Sequence, residues 1–186
     1  MAAVSDLAVL MALRIRGRAG AADLARGIGC GEQAAATVLD ALQARGVVTA
    51  APPRVFVLEV PGRDELVRLL AAEVIDRAAL AAAYERFEVV DRELKSVITA
   101  WQVADAVDKS RAAVVAVASR AAALADDVAR IVPRSASYAA RLAAATHALR
   151  DGDTRFVANP RVDSLHQVWF ELHEDLLVTL GRSRSA

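Results

Sequence analysis

Residues 21–48, AADLARGIGCGEQAAATVLDALQARGVV, decide how the first part of this chain is read. Leu24 and Ile28 lie about one helical turn apart, so 21–28 predicts a short helix. GIGCG at 27–31 places three glycines in five residues, a composition suited to a tight turn. Residues 32–45 then predict a longer helix. Ala35, Val38, Leu39 and Leu42 share its inner side, and Gly46 stops it.

Upstream, residues 4–17 fit a first helix. Ser5 is its candidate cap, Leu7, Leu10, Met11 and Arg14 follow helical spacing, and Gly17 ends it. Downstream the period changes. VVTA (47–50) and RVFVLEV (54–60) are short and β-branched, with APP (51–53) between them. They predict a two-stranded hairpin over 47–60 as the only β-structure, with Pro52, Pro53 and Arg54 at its tip. A fourth helix is expected to start after Pro61–Gly62.

From Gly62 to Gly152 there is no glycine, and Pro133 is the only proline, so this stretch reads as nearly all helix. Asp76, Asp105 or Asp108, and Ser135 are the candidate caps at its breaks. One helix over about 77–103 carries Tyr84, Phe87, Asp91, Leu94, Ile98 and Trp101 at alternating spacings of three and four. A second over about 109–132 has a near-heptad stripe running from Val107 through Val114, Val117, Ala121, Leu124 and Val128 to Ile131. A third covers about 136–150, with Tyr138, Leu142, Ala145 and Leu149. After the loop DGDTRFVANP, a last helix is expected from about 161 to 180, with Val162, Leu165, Trp169, Leu172, Leu176 and Leu180 on one face. The fold class is therefore mainly α: a winged helix-turn-helix at 1–75 with a two-stranded wing, plus a C-terminal helical bundle at 76–186. The bundle is a candidate dimerisation or ligand domain.

Composition narrows the function classes. The chain has 186 residues, 55% of them hydrophobic and 25% charged, with zero formal net charge. That is a soluble globular balance with ample apolar surface for a core. No uncharged apolar run is long enough for a transmembrane helix, and no signal-peptide pattern opens the chain, so no membrane association and a cytoplasmic location are expected. Zero net charge removes the simplest argument for nucleic-acid binding, a strong positive field.

The ordered elements of residues 21–48, followed by VFVLEVPGRDEL (55–66), resemble regulators of the MarR and PadR type over roughly the first 75 residues. AAYERFEVVDRELKSVITAWQV (82–103) and VDSLHQVWFELHEDLLVTLGR (162–182) resemble a helical segment of actinobacterial pyruvate phosphate dikinase-like proteins. In some of those proteins this segment follows a winged helix at the C-terminus. The swivelling phosphohistidine motif of those enzymes is absent here, and so is a glycine-rich phosphate loop. The second resemblance therefore implies an accessory part without the enzyme.

The first resemblance implies transcription regulation through duplex DNA, bound by a dimer with the third helix in the major groove. On its outer face that helix offers Glu32, Gln33, Ala36, Thr37, Asp40 and Gln43. Gln33 and Thr37 are the candidates for base contacts. Arg14, Arg16 and Arg18 at the end of the first helix, Arg45, and Arg54 at the wing tip are the candidates for phosphate or minor-groove contacts. All of them are equally well read as ordinary solvated arginines. Residues 1–60 hold six arginines against five acidic residues, so one such module binds DNA weakly. The alternative is an interaction module that docks on a phosphoenolpyruvate-utilising enzyme or another protein and does not bind DNA.

Other constellations are weaker. His166 and His173, seven residues apart on one helix, stand too far apart along its axis for one metal ion, and His147 lies on another helix. No metal and no cofactor are expected, and the histidines read as hydrogen-bonded boundary residues. Asp91 occupies a position where the stripe calls for an apolar side chain. It needs an arginine or histidine partner from a neighbouring helix, or it faces a ligand cavity between Tyr84 and Trp101. Cys30, before the third helix, reads either as a turn filler or as a redox-sensitive thiol with a lowered pKa. No paired carboxylates or Ser/His/Asp arrangement stand out, and no enzyme is expected.

Overall fold

The computed structural model describes residues 4–103 and 107–183. The candidate break at Asp105, and the side chains of Val107 and Asp108, lie outside the described residues. The chain is mainly helical and divides into two compact units, the first ending at Val74 and the second beginning at Ile75.

In the first unit, α1 (Asp6–Arg16) is followed by β1 (Arg18–Ala19), α2 (Ala21–Ile28), α3 (Glu32–Ala44), β2 (Val48–Ala51), β3 (Val55–Leu58) and α4 (Val60–Ala72). Ser5 caps α1, its hydroxyl accepting from the Ala8 amide at 3.2 Å. Leu10, Leu13, Leu24, Leu39, Leu42 and Phe56 are almost wholly buried, so α1, α2, α3 and the sheet close over apolar side chains.

The sheet corrects the expected two-stranded hairpin. It has three antiparallel strands in the order β1-β3-β2. Gly17 adopts φ 72°, which ends α1 and turns Arg18–Ala19 alongside β3, where Arg18 pairs with Val57 and Ala19 with Phe56. Two residues carry too little periodicity to read as a strand; pairing with β3 makes them one.

The fourth helix also starts earlier than expected. Val60 and Pro61 form its first turn, where a proline lacks only an amide that would be unpaired anyway. Gly62 follows because the backbone passes close to Val47, the residue before β2: a Cβ there would stand 2.1 Å from the Val47 carbonyl oxygen.

The second unit packs α5 (Arg77–Val103), α6 (Val107–Ile131), α7 (Ala136–Arg150) and α8 (Leu165–Leu180) around one apolar core. Asp76 caps α5 by accepting from the Ala79 amide at 2.9 Å. Leu80, Phe87 and Leu94 of α5 share this core with small residues of α6, among them Val114, Ala118, Ala121 and Ala125. Alanine and valine allow close helix approach, which suits their place in the middle of the packing.

Three further expectations change. Ser135 does not cap α7 with its side chain; its hydroxyl donates to the Val132 carbonyl at 2.7 Å within a 3-10 turn, Pro133–Ser135. The last helix starts at Leu165, four residues late, because Ser164 caps it through the Gln167 amide at 3.4 Å, and Val162 lies in the preceding turn. Trp101 is only half-buried at the margin of the core, whereas Tyr84, Phe87, Trp169 and Leu172 lie within it. Trp101 falls in the last turn of α5.

Candidate nucleic-acid interface and a cavity in the helical unit

In the first unit, α3 buries Ala35, Leu39 and Leu42 and turns Glu32, Gln33, Thr37, Asp40 and Gln43 outward. Gln33, Thr37 and Asp40 are spaced by four and three residues and so form one exposed stripe. The Thr37 hydroxyl donates to the Gln33 carbonyl at 2.9 Å, which orients it along the helix.

The β2–β3 turn brings Arg54 to that stripe. Its guanidinium pairs with Asp40 at 2.6 Å and lies 5.7 Å from the centre of the Phe56 ring. Arg54 also holds a left-handed φ of 74°, uncommon for a residue with a Cβ. Both partners of the ion pair are well exposed, at 67% and 60%, so the pair contributes about 0–1 kcal/mol and exchanges readily.

The other arginines go to separate neighbours. Arg45 pairs with Asp6 of α1 at 2.6 Å. Arg16 donates to the Asp23 carbonyl of α2 at 3.2 Å and lies over Gly27, where a Cβ would come within 2.8 Å of its guanidinium. Arg18 is exposed on the edge strand β1. Arg14 and Arg63, a residue not singled out from the sequence, line an open hollow with Leu13, Gly17 and Leu58. Arg14 and Arg16 thus lie in the last turn of α1, and Arg18 follows on β1 just beyond Gly17.

Cys30 is a free, partly exposed thiol. Burial raises its pKa, and a backbone hydrogen bond offsets this only in part. The shift is therefore upward, opposite to the lowering expected of a redox-sensitive thiol.

In the second unit, Asp91 is buried, but its partners differ from those expected. The Trp169 indole donates to Oδ1 at 3.1 Å, and Lys95, one turn along α5, pairs with Oδ2 at 2.6 Å. An indole N–H from α8 takes the role foreseen for an arginine or histidine. Tyr84 bonds His173 at 3.1 Å and stacks on Phe87, which also stacks on the Trp169 ring at 4.1 Å and lies 4.8 Å from the His173 ring.

A cavity of about 260 Å³ opens between α5 and α8. Asp91 and Lys95 line it from α5, and His166, Trp169, Phe170 and His173 from α8. Leu94 and Ile98 complete the apolar wall. Asp91 thus faces a cavity, and its α5 lining falls between positions 84 and 101, although Tyr84 and Trp101 are not among the lining residues. Lys95 and Phe170 were missed in sequence because an exposed lysine and a phenylalanine beside the stripe look ordinary.

A second polar cluster also escaped the sequence reading. Arg134 makes two 2.7 Å contacts to Asp175, which also accepts from Tyr138 at 3.2 Å and from Thr179 at 3.0 Å. Arg141 bonds Glu171 at 2.7 Å and Asp163 at 2.9 and 3.0 Å. Burial alone would lower the Arg141 pKa; the bonds to Asp163 and the charge of Glu171 reverse this and raise it above its ordinary value. The signal was present: Asp175 falls on the α8 stripe between Leu172 and Leu176, as Asp91 does on α5.

The histidines do not converge. His147 is exposed and pairs with Asp151 at 3.3 Å, away from the cavity-lining His166 and His173. Among the described residues no group of three His, Cys, Asp or Glu side chains is placed to hold a metal ion. Among the same residues no helix is long and apolar enough to cross a membrane. No protein-family model, curated protein or solved structure matches this chain.

Proposed function

We propose that the first unit is a winged helix, as its resemblance to the MarR and PadR type implies, and that the protein is a transcription regulator that binds duplex DNA as a dimer. The observation that carries this reading is the apposition of Arg54 with the exposed stripe Gln33–Thr37–Asp40. It gives one surface two polar side chains suited to base edges and a cation suited to phosphate or a minor groove. α2 and α3 supply the helix-turn-helix, and β2–β3 the wing. The Asp40 pair is weak enough for a phosphate to displace it. Dimerisation would set two such faces on one duplex and convert two weak contacts into useful affinity. No catalysis is assigned to either unit.

A second reading is favoured by the carboxylates on the same face. Glu32 and Asp40 repel phosphates, and Asp6 and Asp40 engage two of the five candidate phosphate-binding arginines. An accessory module that docks a protein partner, such as a phosphoenolpyruvate-utilising enzyme, uses such a mixed surface without DNA.

A low-salt titration of fluorescent genomic fragments separates the two. Under the first reading wild type binds with a steep salt dependence, and Arg14→Ala with Arg18→Ala weakens all sequences alike. Asp40→Asn releases Arg54 and tightens binding severalfold, whereas Gln33→Ala relaxes preference at one base. Absence of binding by both wild type and Asp40→Asn overturns the DNA reading.

A further inference from the structure

We infer that the cavity between α5 and α8 is a binding site for a small organic cation, an amine or quaternary ammonium on a compact apolar body. At about 260 Å³ the cavity falls just below the roughly 300–1,000 Å³ of drug-sized sites, which limits the occupant to one ring or a short chain. Its wall is mostly apolar, with Leu94, Ile98, Trp169 and Phe170 around the polar groups. The charge that matters is Asp91. Its side chain is only 12% exposed and its carboxylate is held in place by the Trp169 indole.

Its only charged partner among the described contacts is Lys95, whose side chain is 69% exposed on a flexible stem. Lys95 can swing into water and hand Oδ2 to an incoming ammonium, so the carboxylate keeps a counter-charge throughout. Trp169 and Phe170 also line the cavity, and an ammonium that reaches the open face of either ring is attracted more strongly when water is excluded. An anion gains less, because Lys95 is already neutralised by Asp91 and the carboxylate repels it. A metal ion lacks a ligand set, as no three donor side chains converge among the described residues.

The test uses the full chain carrying Trp101→Phe, which leaves Trp169 as the single tryptophan. Its fluorescence is titrated with benzylamine, benzyl alcohol and phenylacetate at neutral pH. The expected result is saturable binding of benzylamine, about tenfold tighter than benzyl alcohol, with phenylacetate the weakest. Asp91→Asn keeps an acceptor for the indole but removes the charge, and should weaken benzylamine about tenfold while leaving benzyl alcohol unchanged. Should Asp91→Asn fail to fold, Lys95→Met serves instead; it removes the competing ammonium and should tighten benzylamine severalfold. Equal binding of benzylamine and benzyl alcohol, preference for phenylacetate, or no saturable benzylamine signal overturns the assignment.

Discussion

Trp169 of α8 donates its indole N–H to Oδ1 of Asp91 on α5 at 3.1 Å, joining two helices whose residues lie 78 positions apart in the chain. The bond answers two problems at once, a carboxylate on an apolar stripe and an indole donor inside a core. Asp91→Ala should leave the buried N–H without its acceptor and lower stability by about 1–3 kcal/mol. Asp91→Asn, which retains an acceptor, should cost clearly less. Urea unfolding of the two variants checks the order; equal losses would show that the bond contributes little.

The aromatic residues of α5 should differ sharply in worth. Phe87 is fully buried and stacks on Trp169, so Phe87→Ala should cost about 3–5 kcal/mol. Trp101→Ala, at a half-buried position, should cost less than about 2 kcal/mol. Chemical denaturation monitored by circular dichroism reads both, and a larger loss at Trp101 would contradict its marginal placement.

Arg134 and Asp175 form a pair whose side chains are 9% and 6% exposed. Removing only the cation by Arg134→Ala should cost about 3–5 kcal/mol, since the carboxylate stays buried without its counter-charge. Arg134→Met combined with Asp175→Leu should recover most of that loss. Thermal unfolding of the single and double variants decides; a double variant as unstable as the single would show that Tyr138 and Thr179 depend on the charged pair.

Tyr138 should make stability fall in alkali. Burial first, then the charges of Asp175 and Glu171, hold its pKa well above the ordinary value, although Arg134 and Arg141 pull it back in part. An unfolded tyrosine ionises near pH 10, so above roughly that pH the unfolded chain loses a proton that the folded chain keeps. The stabilisation is therefore full below about pH 10 and is lost as pH rises further. In Tyr84→Phe, Tyr138 is the only tyrosine left, and tyrosinate absorbance should appear only together with unfolding. Ionisation near pH 10 in a folded chain would show that the phenol is accessible.

Much of the helical architecture is legible in the chain itself. The glycine-free stretch between Gly62 and Gly152, with Pro133 as its single proline, matches helices α4 to α7, because helix periodicity and breakers act between residues a few positions apart. The inner faces of α3 and α5 are legible for the same reason: Leu39 and Leu42, or Phe87 and Leu94, recur at helical spacing and are buried. Ser5 and Asp76 are readable as caps because a cap is satisfied by an amide three residues away.

What tertiary structure decided are the relations between distant residues. Arg18–Ala19 is a strand only because β3 lies beside it, and no local pattern in two residues encodes a partner nearly forty positions later. Arg54 could be placed at a turn, but its pairing with Asp40 depends on how the hairpin folds back over α3. Asp91 and Asp175 are visible as charges on apolar stripes, yet the choice of Trp169 for one and Arg134 for the other comes from helix packing. Periodicity tells which face of a helix seeks cover; it does not tell which side chain on another helix will meet it, because that is fixed by packing between segments the chain has brought together.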